Sequence, residues 1–452
     1  MNQWVFMKVF LAILAARLTA FLAKLRGGKS SSMPGAIALK ICPDLIARLS
    51  SQVRKGIVCV CGTNGKTTTN NLLCSALEGA GNKVICNKLG ANMKNGVATA
   101  FALAARLNGR IDADYASIEV DEASTIKVFE YMKPQVMVIS NLFRDQLDRY
   151  GEIDITVDLL TKAIGMLDDV TLVLNADDPL CTQFGYKTDK KTLYFGISEK
   201  VLPQTDDTKE GRFCPICGGK QWYNYYHYSQ LGDYECTGCD FKRPHPQIEA
   251  TDVKLGADIA FSINGKPMQI HYKGFYNIYN MIAVYAALTA FGIDTVHFSD
   301  LLKSYKPQIG RMEEIVLKGK PVILNLAKNP AGFNQAIDTV LTDPRKKDVI
   351  IAINDNANDG RDVSWLWDVD YEKIQTDTLN TLTCTGIRLY DIALRFKYSN
   401  VPVDTISESM KEAIESTLQT DTQVVYILVN YSAMYTTEDV MLELKKKYGG
   451  EA

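Results

Sequence analysis

Residues 56 to 80, GIVCVCGTNGKTTTNNLLCSALEGA, restrict the fold more than any other stretch of this chain. An apolar run of strand type, Ile57 to Cys61, meets Gly62-Thr63-Asn64-Gly65-Lys66-Thr67-Thr68, and helix formers follow with Leu72, Leu73 and Leu77 at helical spacing. Strand, glycine loop, helix is the context in which such a motif cradles phosphate. The glycines let the backbone fold around an anion, and the unpaired N–H groups at the helix start point at it. Lys66 supplies charge for the β- and γ-phosphates, and the Thr67 hydroxyl can ligate magnesium. Residues 62 to 68 therefore read as a nucleoside triphosphate site rather than as a plain glycine-rich turn.

A chain of 452 residues exceeds one ordinary core, so two or three domains are expected. With 46% hydrophobic and 23% charged residues it has the make-up of a soluble globular protein. A formal net charge of −2 gives phosphate backbones little electrostatic footing, which argues against nucleic acid as a partner. Cys42, Cys59, Cys61, Cys74, Cys86, Cys181 and Cys384 sit mostly in apolar runs, as buried free thiols do in a reducing cytoplasm.

The first segment, MNQWVFMKVFLAILAARLTAFLAKLRGGK, is strongly apolar. Its longest charge-free run, Val9 to Ala16, is eight residues, with Lys8, Arg17 and Lys24 interrupting, which on this count falls short of a spanning helix. No clear small-residue cleavage site follows, against a secretory signal. The expectation is a helix packed on the next domain, with a basic amphipathic surface able to touch a membrane. Residues 1–50 then form an N-terminal helical segment and link, Gly-Ser-rich at first and helical again from Ile37 to Ser51. They are too few for a separate substrate-binding domain of ordinary size.

After the loop, strands and helices alternate as in a parallel sheet with crossover helices. Strands are expected at Lys83 to Asn87, Tyr115 to Val120, Val136 to Ser140 and Thr171 to Leu174, and a helix at Gly96 to Leu107. The second of these strands ends in Glu119-Val120-Asp121-Glu122, and acids at the carboxyl end of a strand beside a phosphate loop are where a magnesium ligand or a base belongs. Solvated residues at a strand end are the plainer account of Asp121.

Cys214-Pro-Ile-Cys217 and Cys236-Thr-Gly-Cys239, eighteen residues apart, match the spacing of a tetrahedral structural zinc site. Four thiolates leave no open coordination position, so the expected role is stability or docking. The intervening Trp222, Tyr223, Tyr225, Tyr226, Tyr228 and Tyr234 could stack on bases, but a small ribbon needs them as its own core. His227 and His245 are spare ligand candidates.

From Pro321 the α/β pattern restarts, with strands expected at Val322 to Asn325, Asp348 to Ile353, Thr381 to Cys384 and Val424 to Val429. The expected division is an ATP-binding domain at 51–310, with the zinc ribbon inserted at about 205–246, and a second Rossmann-like α/β domain at 311–452. In the latter, Asn354-Asp355-Asn356-Ala357-Asn358-Asp359-Gly360-Arg361-Asp362 leaves a buried strand and is closed by Trp365 and Trp367. Asp355 sits where an acid leaving a strand can orient a partner's histidine; a hydrogen-bonded Asx-rich turn is the alternative.

GTNGKTTT at 62–69, EVDE at 119–122, SNLFRDQLDRYG at 140–151 and LNADDP at 174–179 resemble, in order and spacing, the central ATPase domain of the Mur ligases. Gly274-Phe275-Tyr276-Asn277-Ile278-Tyr279-Asn280 looks like that family's adenine-contacting segment, which implies Asn277 and Asn280 near the base. Gly310-Arg311-Met312-Glu313 looks like its arginine after the interdomain link, and Arg311 is the expected second cation. Gln146 stands where many relatives have a metal-binding histidine, and nothing precedes the loop that resembles a UDP-sugar-binding domain. With NDNANDGRDVSWLWD and the zinc knuckles, the whole chain resembles the MurT branch of that family. The resemblance implies ATP-dependent amidation of the D-glutamate α-carboxylate of the lipid II stem peptide. The route is an acyl phosphate, in the cytoplasm at the inner face of the cell membrane. Ammonia comes from a GatD-type glutamine amidotransferase subunit, whose Cys-His site Asp355 completes. Lys66, with magnesium on Thr67 and Glu119, spreads the charge of the transferring phosphoryl group. A stand-alone folylpolyglutamate-like amino-acid ligase and a nucleic-acid-dependent ATPase are the competing readings.

Overall fold

In the computed structural model, residues 3–25, 31–88, 90–145, 153–202, 211–256, 258–271, 273–304, 310–356 and 359–448 are described. Three helices open the chain: α1 (Gln3–Leu25), α2 (Met33–Ile41) and α3 (Leu45–Ser50). Cys42 and Pro43 divide the single helix expected from Ile37 to Ser51, because proline has no N–H to continue the ladder.

A nine-stranded sheet follows. Its strands are β1 (Gly56–Cys61), β2 (Val84–Cys86), β3 (Tyr115–Glu119), β4 (Val136–Ile139), β5 (Thr171–Asn175), β6 (Lys191–Ile197), β9 (Ile248–Leu255), β10 (Ile259–Ile263) and β11 (Lys266–Ile270). Between β6 and β9 lies a separate antiparallel hairpin, β7 (Gln221–Tyr228) and β8 (Leu231–Cys236). The order across the large sheet is β11-β10-β9-β6-β5-β4-β1-β3-β2. The strands from β2 to β9 run parallel, and only the edge hairpin β10–β11 is antiparallel. The strand order reverses about β1, which pairs with β3 on one side and β4 on the other. A crevice at the carboxyl end of such a strand is where open α/β sheets bind ligands.

Both faces of β1 are covered, which is why its sequence is apolar without alternation. Ile57, Cys59 and Cys61 pack with Val9, Ala12, Ile13 and Ala16 of α1, with α2 and α3, and with α5 (Lys94–Ala104). Val58 and Val60 face α4 (Lys66–Gly79) and the almost wholly buried helix Tyr276–Ala290. The N-terminal segment is thus part of the ATP-binding domain's core.

The second sheet begins at Arg311. Its order is β12 (Arg311–Leu317), β13 (Lys320–Leu326), β17 (Val424–Val429), β14 (Lys347–Ala352), β15 (Leu379–Thr385) and β16 (Thr405–Ile406). Only β12 is antiparallel to its neighbour. Expected strands recur here, Val424–Val429 unchanged and the others with ends moved by one or two residues, the positions where fraying decides the assignment. The helix expected at Gly96 to Leu107 is shifted to Lys94–Ala104, since Ala105 is already extended.

One expectation needs correcting. Counting charge-free residues undervalues α1, because Trp4 to Leu25 is one continuous helix containing an 18-residue stretch of mean hydropathy 2.0, long and apolar enough by composition to cross a membrane. Three cations in 22 residues dilute that apolarity without ending the helix.

Candidate active site

The glycine loop leaves β1 and opens α4. Gly62 (φ 122°) and Gly65 (φ 84°) occupy backbone regions that favour glycine, and space forbids anything larger. A Cβ on Gly62 would come within 2.3 Å of Ser140 Oγ, and one on Gly65 within 2.1 Å of Asn280 Oδ1. The segment after β4 clasps the loop. Thr63 N–H donates to Asn141 O and Asn64 N–H to Asn141 Oδ1, both at 2.8 Å, while Ser140 Oγ and Asn141 Nδ2 donate to Asn64 O, both at 3.0 Å. Phe143 N–H donates to Thr63 Oγ1 at 2.9 Å. The SNLF stretch that carried a resemblance is therefore the splint of the phosphate loop.

Lys66 is buried and folds back on its own loop. Its Nζ donates to Gly62 O at 2.6 Å and to Glu122 Oε1 at 3.1 Å. Burial opposes the charge on Lys66, but Glu122, Asp121, Glu119 and Asp145 outweigh it and hold the ammonium protonated well above its ordinary range. Glu122 also accepts the Gly62 N–H at 2.6 Å. Glu122 was legible only as a member of an acidic stretch; its partnership with Lys66 spans 56 residues. Asp121 caps the short turn after β3 by accepting from Ala123 N–H at 3.2 Å.

Glu119 fits a magnesium ligand. Asn92 Nδ2 donates to its Oε1 at 2.9 Å, whereas Oε2 is buried with no hydrogen-bond partner. Burial raises the carboxyl above its usual range, against the pull of Lys66 and Thr67. A Cβ added to Gly90 (φ 69°) would meet both Thr67 Oγ1 and Glu119 Oε2, so these two oxygens share one small space. A hard cation between them would satisfy the orphan oxygen.

These groups line a cleft of about 1000 Å³ between the two sheets. Thr63, Asn64, Gly65, Lys66, Thr67 and Thr68 form its floor, with Glu119 and Asp121 beside them. Arg311 and Asn280 also line it. Asn277 stands one layer back: its Nδ2 donates to Lys273 O at 2.9 Å and its Oδ1 accepts from Asn280 at 3.1 Å. Asn280 itself accepts from Thr69 Oγ1 at 3.2 Å, so it braces the loop as well as facing the cleft. Tyr228 and Tyr276 supply aromatic walls.

The second domain closes the other side. Asn64 and Asn329 exchange amide hydrogen bonds at 3.2 and 3.0 Å, and Asn329 also caps the helix Pro330–Leu341. Lys328 pairs with Asp145 at 2.7 Å, and Lys273 with Asp343 at 2.9 Å. Gln146, where the family's histidine was sought, lies outside the described residues.

The four knuckle cysteines come together. All four sulfurs lie within 4.8 Å of one another, with Cys214 3.7 Å from Cys239 and Cys217 3.4 Å from Cys236. Gly238 N–H lowers the Cys236 thiol to about 7, while Cys239 is pushed up to about 12, its Phe241 backbone contact outweighed by burial and the neighbouring thiols. Of the six aromatics expected as the ribbon's core, Tyr223 and Tyr234 form it together with Phe241, and Tyr226 packs on them, whereas Trp222 is 60% exposed and Tyr228 packs on the larger domain. The hairpin is anchored on the LNADDP stretch. Buried Asp177 receives Arg243 Nε and the Tyr279 hydroxyl, both at 2.7 Å, and Tyr279 also meets His227 Nδ1 at 2.6 Å. His227 is a docking residue, not a metal ligand. Tyr228, at the hairpin's end, reaches the nucleotide cleft, a role its place among five other aromatics concealed.

Asp355 lies away from the cleft, at the carboxyl end of β14. Arg388 Nη2 donates to its Oδ2 at 2.7 Å. Its loop is fastened to the end of β17: Asn430 Nδ2 donates to Asn354 O at 2.6 Å, Asn356 Nδ2 to Ser432 Oγ at 2.8 Å, and Ser432 N–H to Asp359 Oδ1 at 2.8 Å. Tyr431, between those two anchors, lines the nucleotide cleft.

Comparison with known proteins agrees with this geometry. The Mur ligase middle domain family matches residues 60–288 and the MurT ligase C-terminal family residues 326–434. The lipid II isoglutaminyl synthase (glutamine-hydrolyzing) subunit MurT of Staphylococcus aureus strain COL is 35% identical over 90% of either chain. The subunit of the same name from Streptococcus pneumoniae R6 is 33% identical over 96% of this chain and 97% of its own. The structure of a pseudomurein peptide ligase type C from Methanothermus fervidus superposes with a TM-score of 0.66 at 25% identity, covering 87% of this chain and 79% of that one.

Proposed function

This chain belongs to the MurT family of Mur-type ligases, and from that membership we propose that it is the synthetase subunit of a lipid II isoglutaminyl synthase. It amidates the D-glutamate α-carboxylate of the lipid II stem peptide, at the cytoplasmic face of the membrane, in peptidoglycan synthesis. The observation that carries the reading is the combination, in one chain, of a phosphate cradle opening on a cleft between two domains with a separate carboxylate, Asp355, presented outside that cleft.

The chemistry follows from the groups present. A carboxylate is a poor acyl donor until a phosphoryl group replaces its negative oxygen as the leaving group. The cradle's N–H groups and Lys66 hold the triphosphate, and Lys66 exchanges its contact with Gly62 O for the γ-phosphate. Magnesium, held by Thr67 and Glu119, would neutralise charge on the β- and γ-phosphates. Arg311 faces the same space from the second domain and steadies the oxygens of the phosphoryl group as it moves to the carboxylate. Ammonia then attacks the acyl carbon of the acyl phosphate and inorganic phosphate leaves.

Glutamine hydrolysis falls to a second protein, a GatD-type amidotransferase, as the glutamine-hydrolyzing synthase named for the MurT relatives suggests. Asp355 orients that partner's histidine at the subunit boundary, as the acid of a triad does. Zinc in the four-cysteine site keeps the ribbon folded, and with it the Tyr228 wall.

The test is incubation of the purified chain with ATP, lipid II and ammonium chloride, with and without partner and glutamine, read by mass spectrometry. Conversion of one acid to one amide supports the reading. Transfer of an amino acid to the substrate without any second protein would replace it with a stand-alone ligase.

A further inference from the structure

The buried seam of α1 consists of Val9, Ala12, Ile13 and Ala16. At 100° per residue the opposite side of the helix carries Trp4, Met7, Leu11, Leu18, Leu22 and Leu25, which are 61, 52, 45, 53, 54 and 68% exposed. This is a continuous stripe along a helix of 23 residues, about 34 Å. A soluble surface scatters such residues singly.

The cations are not on the stripe. Lys8 lies on one flank, its ammonium 3.7 Å from the Trp4 ring centroid, and Arg17 and Lys24 lie on the other. No acidic residue occurs before Asp44, while Lys8, Arg17, Lys24 and Lys40 all do. An apolar stripe edged by Lys8 and Lys24, whose ammonium groups can snorkel, in a stretch with no acidic residue before Asp44, complements the surface of an anionic bilayer, while Arg17 donates to Ala105 O at 2.6 Å. A spanning orientation is disfavoured by the seam: withdrawing the helix would expose Val9, Ala12, Ile13 and Ala16 and uncover the core beneath them.

We propose that α1 lies in the plane of an anionic phospholipid bilayer with this stripe immersed. The inference deepens the reading above, and rests on it for the identity of the lipid-linked acceptor. Ser31 and Ser32 line the cleft only six residues after Leu25, at most about 20 Å of chain. Docking by α1 therefore brings the mouth of the cleft to the surface where such an acceptor is held.

The test is flotation of the full-length chain with phosphatidylglycerol-containing and pure phosphatidylcholine vesicles, without nucleotide or lipid II. Leu11→Glu/Leu18→Glu/Leu22→Glu should lose about tenfold or more of the vesicle-bound fraction while keeping its melting temperature and ATP affinity. Leu442→Glu, an exposed leucine elsewhere, should bind vesicles as the unaltered chain does. Unaltered protein that fails to float, binds both vesicle types equally, or floats regardless of the triple change overturns the proposal. So does a dimer in solution that the triple change dissolves, which assigns the stripe to a second copy. Amidation of lipid II in detergent by a chain that never floats would sink the docking and leave the enzyme reading standing. Flotation without amidation would do the reverse.

Discussion

The loop of residues 62–68 and the loop that carries Asp355 both leave the carboxyl end of a buried parallel strand, yet they are finished to different degrees. The first is splinted by Ser140, Asn141 and Phe143, pinned by Asn280, and has its lysine already charged and held. Beside it, Glu119 Oε2 is buried without a hydrogen-bond partner. The second is tied to the end of β17 through Asn354, Asn356 and Asp359 and to the segment after β15 through Asn354 Oδ1, which accepts from Ile387 N–H at 2.9 Å, while the partly exposed Asp355 meets Arg388. A site preorganised from within binds a ligand that arrives alone. On the reading proposed above, the second site is completed by another protein's residues.

The largest test of this contrast is Lys66→Ala, which should cut ATP turnover at least ~10³-fold with either nitrogen source while leaving the fold intact. Normal turnover would remove the loop from the mechanism. Asp355→Asn should separate the two sites. Glutamine-driven amidation with the partner should fall by about 10²- to 10³-fold, and ammonium-driven amidation should stay within about twofold, because the acid acts on the partner's side. Equal loss of both would erase the distinction between the loops.

Cys214→Ser asks whether the first site is finished by its own domain alone. Zinc content should drop and the melting temperature should fall by roughly 5 to 10 °C, with ATP affinity weakened several-fold through displacement of Tyr228. Unchanged ATP affinity in a zinc-free but folded protein would show that the ribbon wall is dispensable.

The smallest effect concerns the joint between the domains. Burial of Asp343 opposes its ionisation, but hydrogen bonds from Arg345, Tyr426 and Lys273 outweigh it and hold the carboxyl below its ordinary range. Its contribution is therefore present above the unfolded value near 3.8 and lost as pH falls through the lower folded one. Asp343→Asn should lower stability at neutral pH by about 1 kcal/mol and flatten the acid limb of the stability curve, measured by denaturant titration. An unchanged limb would mean the Lys273 contact adds nothing.

Much of this was readable in order along the chain. The apolar run before Gly62, the glycines, the knuckle spacing and the restart near Pro321 are local signals, and each became the expected element. What stayed hidden depends on distance. Asn64 and Asn329 are 265 residues apart, and no periodicity links an amide in a glycine loop to a helix cap in another domain. Tyr228 looked like ribbon core because its neighbours Tyr223 and Tyr234 are; only the docking of the hairpin through Asp177 turns it toward nucleotide. Asn277 and Asn280 resembled one adenine-binding pair, but of these two neighbours on one helix face only Asn280 lines the cleft, and Asn277 supports it by accepting its amide N–H. In α1 the interruptions by lysine and arginine masked the continuity of the helix, since side-chain charge and backbone ladder are separate properties.

Asn430, Tyr431 and Ser432 are three consecutive residues, of which the outer two grip the Asp355 loop and the middle one faces the triphosphate chamber. Two rooms with a common partition cannot be remodelled one at a time. Any sequence change tolerated at this tripeptide has to suit both tenants at once, and a compound wedged against it from either side would be felt on the other.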